Sequence, residues 1–331
     1  MGEIPRVSVL LPAYNHARYL GASIRSVLDQ DFRDLELIVV DDGSTDETAQ
    51  VVHGVTDPRL RYLYQANIGV AGALNAAFRA ARGGYIAIQN DDDLWLPGKL
   101  ARQVQALDER PEVGLAYAQA QVIDAQGRLT PQFLSLPGKY PGQMVRSLLH
   151  EDCICPATVL ARRSCLQAVI EAGAAGPWDM TLPGVDDWDL WLRMACCCEF
   201  LYQGQTVAHY RAHSANYSGR NSAHFAVFQE RRVKVLDKFF SRSECAAQAA
   251  GMRPLAYRNL YTLIGLQYVG AGGWSEAFDY FKRALRAAPS PASLARILGS
   301  LGLHLVSRNP AGAQWVSAYA RWRVKHRARK D

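Results

Sequence analysis

Gly84-Tyr-Ile-Ala-Ile-Gln-Asn-Asp-Asp-Asp-Leu-Trp-Leu-Pro97 decides the fold of this 331-residue chain. Tyr85 to Gln89 reads as a short buried strand, and it runs straight into four polar residues, Asn90 to Asp93. Pro97 then stands where helices accept a proline, in the first turn. The same succession of strand, polar cluster and helix occurs twice upstream. Val7-Ser-Val-Leu-Leu11 is a buried strand ended by Pro12, followed by Ala13-Tyr14-Asn15 and a helix over about Ala17 to Leu28. Leu35 to Val40 is a second buried strand that meets Asp41-Asp42, and Ser44 and Glu47 have the capping-box spacing that opens a helix. Leu60 to Tyr64 is a third strand, Ala71 to Ala81 an alanine-rich helix, and Val113 to Ala118 a fifth strand. Strands separated by helices imply an α/β fold with a mostly parallel sheet covered on both faces. Ligands of such sheets gather at the carboxyl ends of the strands. Tyr14-Asn15, Asp41-Asp42 and Asn90 to Asp93 all fall there.

Farther along, residues 127–156 carry weak patterning broken by Pro and Gly, which predicts a loop-rich surface. Asp186 to Ala195 reads as a helix with Leu190, Trp191 and Met194 on one face. Ala223 to Phe240 reads as another, with Phe225, Phe228, Leu236 and Phe239 turned inward. From about Cys245 only helical signals remain, which places a domain boundary near 241–254.

Composition bounds the function. Hydrophobic residues make up 49% and charged residues 21%, which excludes a mostly disordered chain. Of the net charge of +6, +5 sits in the last eleven residues, where Arg321, Arg323, Lys325, Arg327, Arg329 and Lys330 face one acid, Asp331. The body is therefore not a basic nucleic-acid platform, while the tail suits an anionic surface. The first apolar run, Val7 to Leu11, is too short for a signal peptide. Leu294 to Val306 is interrupted by Arg296 and His304, so it reads as core or interfacial helix and not as a membrane span. The seven cysteines show no metal-knuckle or redox spacing, and the consecutive Cys196, Cys197 and Cys198 diverge too far on a helix to share one zinc. They are expected to be reduced, mostly buried thiols of a cytoplasmic protein, for which the sequon at Asn216 has no meaning.

A carboxylate pair after a buried strand is unfavourable unless a cation or hydrogen-bond donors compensate it. A hard divalent ion completed by a substrate diphosphate is the natural compensation. One such pair is weak evidence, since helix caps and acidic turns are common; three at one sheet edge are much stronger.

Six segments, in order, resemble family 2 glycosyltransferases of the GT-A fold. They are Val7-Ser-Val-Leu-Leu-Pro-Ala-Tyr-Asn15; Val39-Val-Asp-Asp-Gly-Ser-Thr-Asp46; Asn67-Ile-Gly69 with Ala73-Leu-Asn75; the opening stretch, Gly84 to Pro97; Asp186-Asp-Trp-Asp-Leu-Trp-Leu-Arg193; and Tyr210-Arg-Ala-His-Ser-Ala-Asn216. The resemblance covers about residues 5–220. It implies a GT-A domain over 1–240, with a nucleotide-sugar half at about 5–120 and an acceptor half at about 121–220, followed by a helical domain over 241–331. It implies an inverting, metal-dependent transferase that moves a sugar from a nucleotide-diphosphate sugar, a UDP-sugar first, to a hydroxyl of a glycan or lipid-linked acceptor in cell-surface polysaccharide or glycoconjugate synthesis.

The resemblance also implies residue roles. Pro12, Ala13, Tyr14 and Asn15 line the nucleotide pocket, Asp41 or Asp42 bonds the base or ribose, and Asn67, Gly69, Asn75 and Asp91 complete the nucleotide site. Asn90 to Asp92 occupies the Asp-any-Asp position, so Asp92, with Asn90 and His213, is expected to hold Mg²⁺ or Mn²⁺. Asp187, paired with Asp186, is the expected catalytic base; helix-dipole stabilisation alone would also place acids there. Trp188 and Trp191 are expected to pack. Two departures stand out: Asn90 replaces an acid, and Leu74 stands where many relatives carry Arg.

In the C-terminal part, Gly265, Tyr268, Ala277, Phe281, Ala284 and Pro289 resemble one tetratricopeptide repeat, with Gly299, Ala311 and Ala318 as a degenerate second copy. A simple helical cap is the plainer expectation; a docking role for a protein or the inner membrane face, helped by the basic tail, is the functional one. Two other readings compete with the transferase. A sugar nucleotidyltransferase lacks its glycine-rich loop after the first strand, and an adaptor on a decayed transferase domain has only Asn90 in its favour.

Overall fold

The computed structural model describes residues 4–307, apart from 136, 139, 141, 172, 215, 217–224, 243–246, 248 and 250. The chain divides into two compact units, Met1–Ala250 and Gly251–Asp331.

The first unit is built on one sheet of strands β1 (Val7–Ala13), β2 (Leu35–Asp41), β3 (Leu60–Tyr64), β4 (Tyr85–Ile88), β5 (Leu94–Trp95), β6 (Val113–Asp124), β7 (Leu129–Leu134), β8 (Leu160–Arg162) and β9 (Glu199–Ala212). Their order is β3-β2-β1-β4-β8-β6-β9-β5, with β7 paired to β6. The first four are mutually parallel. β8 enters antiparallel between β4 and β6, so β6 runs in the direction of β4. β6 and β9 are parallel. The accompanying helices are α1 (Ala17–Leu28), α2 (Thr48–His53), α3 (Val70–Ala80), α4 (Lys99–Asp108), α5 (Met144–His150), α6 (Arg163–Ala168), α7 (Asp186–Ala195) and α8 (Phe225–Ser241).

β1 and β2 are buried at every position. That is why they read as unbroken apolar runs instead of alternating ones. α1 lays Leu20, Ile24, Val27 and Leu28 on the sheet, one helical stripe against Val9, Leu11, Leu37 and Val39.

Four local expectations change. Pro12 does not end β1, which pairs with β2 as far as Ala13–Asp41. The carbonyl of Leu10 accepts from Gln89 on the β4 side, and Pro12, two residues on, turns its missing N–H to that same side. The β1–β4 ladder has already stopped there, at Leu10–Ile88. Ser44 and Glu47 do not form a capping box: α2 starts after Glu47, and the Asp46 carboxylate accepts from the Thr48 N–H and hydroxyl at 3.1 and 2.6 Å. Pro97 lies outside α4, before Gly98, whose φ of +77° makes the entry turn. Residues 127–156 are not only loop, since they hold β7 and α5, with Ser147, Leu148 and Leu149 of α5 buried.

α7 spans the expected residues and buries Trp188, Leu190, Trp191 and Met194. Both tryptophans pack inside. The helix expected from Ala223 is described from Phe225; its Leu236 and Phe239 are buried, while Phe225 and Phe228 are only partly so. The thiols are not mostly buried: of the six described, only Cys155 is, and Cys197 is exposed.

The second unit holds α9 (Arg253–Ala271), α10 (Trp274–Ala287) and α11 (Pro291–Ser307). Gly272, at φ +85°, ends α9, and a two-residue link starts α10. A Cβ on Gly265 would stand 2.5 Å from the Phe281 ring, so glycine sets how closely the two helices pack. Val269, Ala277, Phe281, Ala284 and Ile297 form the core of this unit. Ala311, Ala318 and the basic tail lie outside the described residues. No described helix is long and apolar enough to cross a membrane.

Candidate active site

The carboxyl ends of β1, β2 and β4 lie side by side because these strands are parallel neighbours. One chain of hydrogen bonds stitches their polar ends together. Asp91 accepts from the Tyr14 N–H at 2.9 Å, and its other oxygen stands 2.9 Å from His16 Nδ1. Asn15 sits at φ +54°, a left-handed conformation that asparagine tolerates. Its N–H donates to Ser44 Oγ, and its side-chain oxygen accepts from the Thr45 N–H. Asp41 accepts from the Ser44 N–H at 2.8 Å and from the Tyr62 hydroxyl at 2.8 Å. Asp42 takes three donors, Gln65 Nε2 and the N–H groups of Ile68 and Gly69. The two buried carboxylates therefore organise the loops that carry Asn67 and Gly69. Gly69 itself is the residue before α3, at φ +86°, a conformation that requires glycine.

The acidic cluster after β4 divides its labour. Asp92 Oδ2 stands 2.9 Å from His213 Nε2 and 3.3 Å from Asn216 Nδ2, its donor. Asp93 accepts from the Arg211 N–H and from Asn90 Nδ2, both at 2.8 Å. The Asn90 side chain is thus turned to Asp93. His16, Asp91 and Asp92 bring one ligand atom each to within 4.8 Å of one another, an arrangement that could hold a metal ion. The His213 ring packs edge-on against His16, centroids 5.2 Å apart. Burial pushes the Asp91 and Asp93 carboxyls above the ordinary carboxylate range, and Asp92 adds to both. The hydrogen bond to Asp91 raises His16. Buried carboxylates that repel one another are a charge arrangement that a cation would relieve, and here the His16 imidazole relieves part of it. The donor set, two carboxylates and an imidazole, fits a divalent ion such as Mn²⁺.

The second acidic pair opens α7. The Asp186 carboxylate accepts from the Gly184 N–H at 3.0 Å, and that of Asp187 from the Trp188 N–H at 2.8 Å. Burial pushes Asp187 up to about 6. Burial and then the Asp187 charge push Asp186 up to about 8. At neutral pH Asp187 is therefore the ionised member of the pair. Burial raises the Cys155 thiol, and both Asp93 and Asp187 push it the same way, so one thiol lies within electrostatic reach of both acidic groups.

The structure thus joins Tyr14, Asn15, Asp41, Asp42, Gly69, Asp91, Asp92 and His213 in one rim. Pro12 and Ala13 are buried in β1 beneath it, and Asn67 is exposed on the loop above. Asn75 is not brought there. It is buried, and its amide donates to the Trp178 carbonyl and accepts from the Trp178 N–H at 2.8 and 3.0 Å. It clamps the segment before α7 instead of lining a pocket. Sequence reading missed His16, since a lone histidine carries no spacing signal. It also missed Arg211, which sits on the unrecognised strand β9.

Residues 8–169 match the model of glycosyl transferase family 2. An uncharacterised glycosyltransferase of Nostoc sp. is 33% identical over 64% of this chain and 66% of its own length. The chain spans less than two thirds of the length of the first curated relatives that it matches. The Escherichia coli enzyme WfgD, a UDP-Glc:alpha-D-GlcNAc-diphosphoundecaprenol beta-1,3-glucosyltransferase, is 30% identical over 56% of this chain and 68% of its own. Among solved structures, the mannosyltransferase PcManGT of Pyrobaculum calidifontis, in complex with GDP-Man and Mn²⁺, superposes with a TM-score of 0.59 at 21% identity, covering 96% of this chain and 84% of that one. The likeness shows the fold, which is GT-A. With the matched segment, the sheet and the WfgD relationship in agreement, the chain belongs to glycosyl transferase family 2.

Proposed function

We propose that this protein transfers a sugar, with inversion, from a nucleotide-diphosphate sugar to a hydroxyl of a glycan or lipid-linked acceptor. A UDP-sugar is the first candidate donor, because the relative WfgD is named for one. Two observations support the reading: the His16-Asp91-Asp92 group after β4, and the acidic pair opening α7, where Asp187 shares with Asp93 an influence on the Cys155 thiol. Tyr14, Asn15, Asp41, Asp42, Asn67 and Gly69 form the nucleotide rim. Asp92, Asp91 and His16 hold a divalent ion, Mn²⁺ before Mg²⁺ because one ligand is an imidazole, and His213 orients Asp92. That ion, when bound, neutralises the diphosphate. Asp187 removes the proton from the acceptor hydroxyl as its oxygen attacks the anomeric carbon; one displacement with one base inverts that centre. Asp186, protonated beside it, limits the negative charge at the helix start.

The pathway served is cell-surface polysaccharide or glycoconjugate synthesis on the cytoplasmic face, where nucleotide sugars are made. In the second unit, α9 and α10 pack closely where Gly265 meets Phe281; this supports reading the hairpin as one tetratricopeptide-like repeat that serves docking. The test is calorimetric titration of UDP and UDP-sugars with Mn²⁺, Mg²⁺ or EDTA on wild type and Asp92→Ala. Metal-dependent binding lost in Asp92→Ala is the expected result. If no uridine, guanosine or thymidine nucleotide binds under any metal condition, the transferase reading fails and an adaptor takes its place.

A further inference from the structure

We infer that Cys165 and Cys198 are a redox-active pair, which a low-molecular-weight disulfide converts into a cystine clasping α6 to the far end of α7. The six described cysteines are reduced. Three of them crowd one place, Cys165 on α6 and Cys197 and Cys198 in the turn between α7 and β9. Strand β6 passes directly beneath, and the residue it presents is Gly114. A Cβ there would lie 2.5 Å from both Cβ and Sγ of Cys198 and 2.7 Å from Sγ of Cys165. The two sulfurs occupy the room that the glycine leaves, and they stand no farther apart than the sum of those distances.

The sheet holds them in place. Leu115 pairs with Ala161 on one side and Phe200 on the other, so the segments that carry the two thiols leave neighbouring strands at the same level. Cys165 and Cys198 are partly exposed, which admits a small reagent. The Cys198 thiol donates to the Met194 carbonyl at 3.3 Å, which holds its sulfur in place over Gly114 beside that of Cys165. The neighbouring Cys198 side chain, with Ser164 and Arg162, brings the Cys165 thiol down to about 6, which favours it as the nucleophile of the pair at neutral pH.

The chemistry balances with a glutathione-type disulfide as oxidant. The Cys165 thiolate attacks one sulfur of the small disulfide, breaking its S–S bond and releasing one small thiolate. Cys198 then loses its proton and attacks the Cys165 sulfur, expelling the second small thiol. Two protein thiols become one cystine, and the reagent is reduced to two thiols that carry the protons away. The start of β6 lies at the sheet edge opposite Asp91 to Asp93, and α7 is ten residues, about 15 Å, long. The clasp therefore acts on the helix that carries Asp187 without touching that residue, and it does not depend on the proposed transferase activity.

The test uses the full chain, equilibrated in mixtures of oxidised and reduced glutathione, alkylated and mapped by peptide mass. A linked Cys165–Cys198 peptide pair and an upward shift of the thermal midpoint on oxidation are expected. Cys197→Ser should form the same bond, and Cys198→Ala should stop at a glutathione adduct on Cys165. A bond from Cys165 to Cys197, a stable adduct on wild-type Cys165, or no reaction would each overturn the inference. The wild-type peptide map needs no variant to fold.

Discussion

Asp187→Asn should abolish transfer and, at the same time, make the protein more stable above neutrality. Burial holds the Asp187 carboxyl at about 6 against an ordinary 3.8, a rise of about 2 units. Each unit is about 1.4 kcal/mol, so ionised Asp187 destabilises the fold by up to about 3 kcal/mol. Its carboxyl is only partly buried, and solvent screening reduces this to about 1–2 kcal/mol. Asparagine removes the charge, keeps the oxygen that accepts from the Trp188 N–H, and relieves the repulsion felt by Asp186. The pH dependence has a definite sign. The folded pKa is raised, so the penalty is complete above about 6, where both states are ionised. It fades as pH falls from about 6 to 3.8 and vanishes below, where both states are neutral. Urea unfolding of wild type and Asp187→Asn at about pH 8 and about pH 4 measures the difference. A variant no more stable than wild type at the higher pH would refute the argument, as would an advantage that persists unchanged at the lower one. The matching kinetic signature is a wild-type kcat/KM that rises with pH through about 6.

Asp92→Asn and His16→Gln should each weaken metal-dependent UDP binding by about tenfold or more while leaving metal-free binding little changed. Calorimetry with Mn²⁺ and with EDTA separates these, and equal losses in both would remove the two residues from the ion site. Gly43→Ala should destabilise by about 1–3 kcal/mol and weaken nucleotide binding, because Gly43 sits at φ +76° and its Cβ would meet the Asn67 N–H nitrogen at 2.8 Å. A variant with wild-type urea midpoint and UDP affinity would contradict that. Glu36→Gln tests the opposite edge of the sheet. Burial alone would raise the Glu36 carboxyl, but the Ser8 hydroxyl, Arg61 and Arg82 hold it below 4.5. Its contribution is present above 4.5 and lost as pH falls through the lower folded value, so Glu36→Gln should be the less stable protein at neutral pH and the two should converge in acid, as urea midpoints at the two pH values measure.

The parallel half of the sheet was legible because burial on both faces leaves nothing but strand-forming apolar residues. β1, β2 and β4 therefore announce themselves, and their polar ends with them. β9 was not legible for the converse reason. Its fourteen residues, Glu199–Ala212, are mostly half-exposed, and Gln203, Gly204 and Gln205 interrupt any alternation. β8 has three residues and β5 two, too short for a period to show. The cap of α2 failed for a local reason. Asp46 lies two residues before Thr48 and outcompetes Ser44, whose hydroxyl is already taken by Asn15. At the site, the carboxylates were visible as types in sequence, but their partners were not. No spacing rule links His16 to Asp91 or His213 to Asp92, because sheet order brings those pairs together across 75 and 121 residues.

Asn90 shows how the site can tolerate a missing acid. Asp91, Asp92 and Asp93 are buried in succession, and their charges already repel one another. A fourth carboxylate at 90 would add to that repulsion and could not donate to Asp93 while ionised. Asparagine donates instead, Nδ2 to Asp93 Oδ2 at 2.8 Å, which together with the Arg211 N–H fixes Asp93 as a structural anchor. Asp91, at the middle position, then faces His16 and shares its cluster with Asp92. The negative charge lost at 90 is thus recovered one residue along, beside an imidazole that also neutralises part of it. On this account, Asn90→Asp should not strengthen metal binding. It should lower stability and pull His16 further toward its protonated form, which an NMR titration of the His16 ring reads directly. Tighter Mn²⁺ binding by Asn90→Asp would show instead that position 90 belongs to the ion.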